Sequence, residues 1–182
     1  MEPHNFHRAI GRLINPKDFP KYETLKILKD PSCDPEGQRI SLYKQGIGTP
    51  VRYSDVDILV AIDRKPRVII EIEESNVKPI QIFGKFFASA FSDQYMGKGI
   101  GKARYHPIVG PVLFIQVLDS SKLKEGKSKK PGQWENIEKQ IQDCLKKPFG
   151  IITEYEIFRG GGREFESRGG EAKRMINAIE RF

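Results

Sequence analysis

Cysteine and histidine are scarce in this chain. Its two cysteines are Cys33 and Cys144, and its three histidines are His4, His7 and His106. The cysteines form no CxxC pair, which excludes a Cys/His zinc module and a disulfide-stapled scaffold and points to a reducing, cytoplasmic setting. The histidines are too few and too scattered for a zinc site or an acid/base dyad. His4 and His7 stand at helical spacing and are expected on a solvated N-terminal face. No run of 18 apolar residues occurs, so no membrane-spanning helix is expected. The opening MEPHNFHRAIGRL has no apolar signal core. Acid is in deficit as well: 24 Asp and Glu stand against 31 Lys and Arg, for a net charge of +7. A balance of that sign suits a polyanionic partner.

What is present fits one domain. A chain of 182 residues is long enough for a substantial core, and 1–182 reads as a single unit. The surplus of positive charge gathers in three segments, 96–104, 121–132 and 159–170. The first, MGKGIGKAR, sets Lys98, Lys102 and Arg104 among three glycines. The second carries five lysines, Lys127, Lys129 and Lys130 among them, and one glutamate. The third begins with Arg159 and includes Arg163 after a Gly-Gly-Gly run. Glycine lets backbone approach a phosphate closely while the cations neutralise it. These segments read as basic loops for a nucleic-acid backbone.

Periodicity orders the rest. Residues 5–14 predict a short helix through Phe6, Ile10, Leu13 and Ile14, and Asn15-Pro16 ends it. Residues 21–29 repeat the helical pattern through Tyr22, Leu25 and Leu28. Residues 39–43 read as a short strand and 46–50 as a turn. A helix after residue 76 has Ile80, Phe83, Phe87, Ala90 and Phe91 on one side and Ile82 and Phe86 on another, so it is expected between two layers. Residues 110–118 form a near-continuous apolar strand and 134–147 an amphipathic helix. A closing strand over 151–158 and a terminal helix follow. This alternation predicts an α/β fold, a mixed β-sheet with helices on both faces.

The segment 53–74, YSDVDILVAIDRKPRVIIEIEE, carries the chemistry. It reads as a hairpin in which each strand sorts its side chains by parity. Val56, Ile58, Val60 and Ile62 share one face; Asp55, Asp57, Leu59 and Ala61 share the other. In the second strand Val68, Ile70 and Ile72 oppose Arg67, Ile69, Glu71 and Glu73. A three-residue loop at Asp63–Lys65 pairs Ile62 with Pro66. An index sum of 128 follows, which sets Asp57 opposite Glu71 with Glu73 one diagonal step away. Opposed carboxylates destabilise a ladder unless a cation lies between them, and oxygen-only ligands suit a hard ion such as Mg²⁺. Glu23 and Glu36 are weaker upstream candidates for a further acid.

Asp57 followed by Glu71-Ile72-Glu73 resembles the PD-(D/E)xK motif of restriction endonucleases and related DNA enzymes. The resemblance covers the hairpin and the helix after it, about a quarter of the chain. Val56 stands where the family often has Pro, and Glu73 where it has Lys. The resemblance implies a restriction-endonuclease-like fold and a Mg²⁺-dependent endonuclease on double-stranded DNA, most simply a type II restriction enzyme acting as a homodimer. Asp57, Glu71 and Glu73 would hold the metal. The motif lysine has migrated in some members, and Lys78 or Lys85 would then supply its charge. A structure-selective junction resolvase, or a nucleic-acid-binding protein of the same fold that no longer cuts, stands as the alternative.

Overall fold

The computed structural model describes residues 5–74, 76–97, 105–124, 128–147 and 149–182. Lys98, Lys102, Arg104 and Lys127 lie outside them. Helix α1 (Asn5–Leu13) buries Phe6, Ile10 and Leu13 at helical spacing. A one-turn 3-10 helix (Pro16–Asp18) follows, capped by Asn15 accepting from the backbone N of Lys17 at 3.1 Å. Residues 21–29 are not helical, contrary to the periodicity. They end in strand β1 (Leu25–Lys29), whose Leu25 and Ile27 pack in one core cluster while Leu28 packs in another. An apolar pattern that serves both faces of a strand also fits a helix, and pairing with a neighbour decided between them.

The chain continues through β2 (Ile40–Lys44), β3 (Val51–Val56), β4 (Ile58–Ile62), β5 (Lys65–Glu73), helix α2 (Pro79–Ala90), β6 (Gln94–Met96) and β7 (His106–Pro107). Strand β8 (Val112–Asp119), helix α3 (Lys130–Leu145), β9 (Ile152–Gly160), α4 (Gly162–Glu166) and α5 (Gly170–Arg181) complete it. Two sheets result. Five strands in the order β1-β4-β5-β8-β9 form a mixed sheet, antiparallel at β1-β4-β5 and parallel at β5-β8-β9. Four shorter strands in the order β3-β2-β6-β7 form an antiparallel sheet that the periodicity did not reveal.

The large sheet divides the core. On one face Ile58, Val60, Val68, Ile70 and Ile72 meet α1, α4 and α5 through Phe6, Ile10, Phe165, Met175 and Ile179. On the other Leu59, Ala61, Ile69 and Phe114 meet α2, α3 and the small sheet through Ile82, Phe86, Trp134, Ile137, Leu42 and Tyr95. The parity expected of β4 and β5 is the observed one. Val56 departs from it, because the chain changes sheets at Asp57: Val56 ends β3 in the small sheet and packs with the α2 face.

The hairpin turn also differs in detail. Asp63 and Arg64 both adopt positive φ, 51° and 63°, so the loop has two residues, as a type I′ turn requires. Ile62 pairs with Lys65 rather than Pro66, and a bulge between Val60 and Ala61 absorbs the offset. Beyond the bulge, Ile58 pairs with Ile70, which is the index sum of 128. The basic stretch 159–170 is not a loop: it holds the end of β9, helix α4 and the turn into α5.

Candidate functional site

Asp57 sits where one sheet gives way to the other, just past the Ile58–Ile70 pair. Its Oδ2 accepts a 2.7 Å hydrogen bond from the backbone N of Ile72, so the side chain leans onto β5 between Glu71 and Glu73. Glu71 and Glu73 project from one face of β5, toward α2. Leu59, Ala61, Ile69 and Phe114 make that side of the sheet apolar, and Glu71 is buried completely. A carboxylate cannot remain ionised there without a partner. The partner is Lys85, from the second turn of α2. Its Nζ donates to Glu71 Oε2 at 2.7 Å and lies 3.1 Å from Glu73 Oε1 as an ion pair. Of the two lysines suggested by the migrated motif, Lys85 reaches the acids. Lys78 is exposed at the start of α2, where its backbone N donates to Gln81 Oε1 at 2.8 Å.

Three carboxylates share one lysine. Burial pushes the Glu71 carboxyl well above the ordinary carboxylate range; Lys85 opposes that shift, and the charges of Asp57 and Glu73 add to it. Burial raises Asp57 too, against Lys85, the Ile72 N–H and His7. Burial works against the Lys85 ammonium, but Glu71, Asp57 and Glu73 outweigh it and hold its pKa above that of a free lysine. Glu71 Oε1 is buried with no hydrogen-bond partner among the described residues. An orphaned buried carboxylate oxygen is an acceptor in want of a partner, but the carboxylate oxygens of Asp57, Glu71 and Glu73 do not all lie within 4.8 Å of one another.

Several residues at the site were not legible in the sequence. His7 does not lie on a solvated face: its side chain is 13% exposed, and Nδ1 stands 4.0 Å from Glu74 Oε1. The upstream acid is Asp30, since Glu23 and Glu36 are exposed. Asp30, Cys33 and Asp57 are the one trio among the described residues whose ligand atoms all lie within 4.8 Å of one another. The backbone N of Asp30 donates to Asp57 O at 2.8 Å. Asp30 Oδ1 is already engaged by Ser32 N at 3.0 Å, Ser32 Oγ at 2.7 Å and Cys33 N at 3.0 Å. Gln116, on β8 beside Glu71 in the parallel register, is buried completely. Its Nε2 donates to Ile82 O at 3.4 Å and its Oε1 accepts from Tyr155 Oη. A lone Gln inside an apolar strand was the available signal for it.

The expected nucleic-acid contacts divide. Lys129 is exposed just before α3, Lys130 opens α3, and Arg163 is exposed on α4. Arg159 is engaged within the protein, 2.9 Å from Glu135 and 3.7 Å from Glu138. Comparisons with protein-family models, curated proteins and solved structures found no match.

Proposed function

We propose that the protein is a metal-dependent endonuclease that hydrolyses phosphodiester bonds of double-stranded DNA, with a restriction-endonuclease-like fold and Mg²⁺ as its cofactor. One observation carries this reading: two buried carboxylates, Asp57 and Glu71, and the partly buried Glu73 face a single lysine. Charge so poorly balanced destabilises a core, and a protein that only gripped phosphates would gain nothing from it. The net charge of +7 supports a polyanionic substrate.

In this reading Asp57, Glu71 and Glu73 hold the cation. Once bound, it polarises the scissile phosphate and lowers the pKa of an attacking water. Lys85 takes the role of the motif lysine, its ammonium held by Glu71 and Glu73 and aimed at charge that develops on the phosphate. The Ile72 N–H keeps Asp57 in place. The DNA lies along the exposed cations Lys129 and Arg163 and the half-buried Lys130. A homodimer, which an enzyme cutting both strands would use, would cover Ile80 and Phe87 on α2 and Phe91 at its C-terminal cap, all exposed.

A second reading has its own support. Lys85 already bridges two of the three acids, as it would in a nucleic-acid-binding protein that has ceased to cut. A junction resolvase shares the chemistry of the first reading and differs in substrate. Incubating the protein with plasmid and genomic DNA and with synthetic four-way junctions, with and without Mg²⁺, separates the three. Mg²⁺-dependent fragments from duplex support the endonuclease. Cutting confined to junctions supports the resolvase, and binding without cutting supports the inactive protein.

A further inference from the structure

The β2–β3 hairpin has an exposed apolar tip that the fold does not require. Residues 45–50, QGIGTP, join its strands, and Ile47 stands fully exposed between Gly46 and Gly48. Gly48 has φ +96°, and a Cβ placed there would meet nothing within 4 Å, so the tip is thin. Val51 and Tyr53 on β3 are exposed as well. Scattered exposed apolar residues are ordinary, but three on one projecting ribbon are a patch with a use.

The base of this ribbon is rigid and its flanks are cationic. Lys44 donates to Asp93 Oδ2 at 2.7 Å, Gln45 N donates to Asp93 Oδ1 at 2.8 Å, and Gln94 Nε2 donates to Gln45 Oε1 at 2.7 Å. Arg39 pairs with Asp55 at 3.0 Å, and Arg52 pairs with the same carboxylate. Lys44, Arg39 and Arg52 thus share two carboxylates, Asp93 and Asp55, a net of one positive charge, and unlike Arg159 all three keep their side chains well exposed. Strand β3 runs directly into Asp57. At about 3.3 Å per residue, the tip lies no more than roughly 33 Å along the chain from Asp57, about one helical turn of duplex.

We propose that this hairpin is a nucleic-acid wedge: Lys44, Arg39 and Arg52 hold the backbone of a DNA duplex while Ile47 inserts between base pairs and kinks it. Apolar side chains on cationic ribbons act on duplexes in this way, unstacking one step and bending the helix. A protein partner would be served by the apolar tip but not by the surplus of cations at its base. The inference rests on DNA being the substrate, and it adds the element that deforms it.

The test uses the full-length protein in chelator, so that no cleavage intervenes, with a short duplex carrying a donor dye at one end and an acceptor at the other. Wild-type protein should raise energy transfer as the duplex bends. Ile47→Ser, at a side chain that packs against nothing in the core, should bind roughly tenfold more weakly, the equivalent of one buried aliphatic side chain, and leave the duplex straight. Lys44→Ala should weaken binding and flatten its salt dependence while the residual complex stays bent. Equal binding and bending by wild type and Ile47→Ser overturns the inference and assigns the tip to a protein partner. Binding by wild type without bending also overturns it. The same samples with Mg²⁺ keep the two readings apart. Cleavage without bending defeats the wedge and leaves the nuclease standing, whereas bending without cleavage does the reverse.

Discussion

Two regions of this molecule are rich in carboxylates, and they treat their charge differently. Around the outer edge of the large sheet, Glu135, Glu138, Glu154 and Glu156 line a groove with Arg174 and Arg181, and Glu171 and Arg159 pair with its members. There each cation takes acids directly: Arg159 with Glu135 at 2.9 Å, Arg181 with Glu156 at 2.6 Å, Arg174 with Glu171. The acids also satisfy backbone at the free edge of β9. Glu138 accepts from Ile157 N at 2.7 Å and Glu171 from Arg159 N at 3.1 Å, and Gln142 donates to Tyr155 O at 3.1 Å. Such an edge is closed to further strands, and its acids have structural work. At Asp57, Glu71 and Glu73 three acids share one lysine, one is buried completely, and Glu71 Oε1 has no partner among the described residues. A partly solvated acidic cluster in which every acid meets a cation or a backbone N–H explains itself. A buried one short of positive charge asks for something from outside the chain.

The largest expected difference between the two regions is catalytic. Asp57→Ala or Glu71→Ala should lower Mg²⁺-dependent cleavage by about a thousandfold or more, a loss of roughly 4 kcal/mol of transition-state stabilisation, while DNA binding holds or tightens. Glu135→Ala, in the solvated cluster, should leave the cleavage rate unchanged. Rates on plasmid DNA at saturating Mg²⁺ measure both, and wild-type cutting by either site variant removes that residue from the metal set. On the same assay Lys85→Ala should cost far more than Lys78→Ala. If Glu73→Ala cut at the wild-type rate, its place in the motif would be accidental.

Stability comes next. Lys85→Met leaves Glu71 and Glu73 without their cation and should destabilise the fold by about 2–3 kcal/mol, somewhat less than a fully enclosed pair because Lys85 is partly exposed. Arg181→Met, at a solvated pair, should cost about 0–1 kcal/mol. Urea unfolding reads both. Mg²⁺ should raise the thermal midpoint of Lys85→Met, since an ion that binds only the folded chain stabilises it. No shift at any Mg²⁺ concentration would break the contrast drawn here.

A smaller effect is one of pH. Burial raises the Glu71 carboxyl above its unfolded value, so the stability tied to its proton is complete below that value and is lost as pH rises through the folded pKa. Relative to Glu71→Gln, wild type should therefore lose stability from about pH 4.3 upward, by at most about 1.4 kcal/mol per pH unit. Urea midpoints of the two proteins across that range give the slope. A difference that grows in favour of wild type with rising pH would show that Lys85 overcomes burial. The smallest effect is expected at Glu138→Gln: its carbonyl can still accept from Ile157 N, and the change should stay within about 1 kcal/mol.

How much of this was legible varies from element to element. The parity of β5 was plain because its acids fall on one face and Val68, Ile70 and Ile72 on the other, whereas β4 is apolar on both faces and took its parity from the pairing; the index sum survived an error in loop length because a bulge restored it. Lys85 could be named but not chosen over Lys78, since both side chains are long enough to reach back and the angle of α2 against the sheet is not a local property. Residues 21–29 misled because Tyr22, Leu25 and Leu28 satisfy helical spacing while Leu25, Ile27 and Leu28 also suit a strand that is apolar on both sides. His7 and Asp30 gave no signal. Each reaches Asp57 from a segment distant in sequence, and one histidine on a short helix looks the same whether it faces water or an acid.

By itself, the sequence determined which face of β5 bears Glu71 and Glu73, that the chain is basic, and that helices alternate with strands, because alternation and charge are local properties that a period of two or of 3.6 residues exposes. Only the tertiary structure decided that Asp57 marks the passage from one sheet to the other, that Lys85 rather than Lys78 answers Glu71, and that Gln116, His7 and Asp30 surround the acids. Those contacts join parts of the chain far apart in sequence, and burial, which sets how costly each charge is, exists only once the sheets and helices have closed around it.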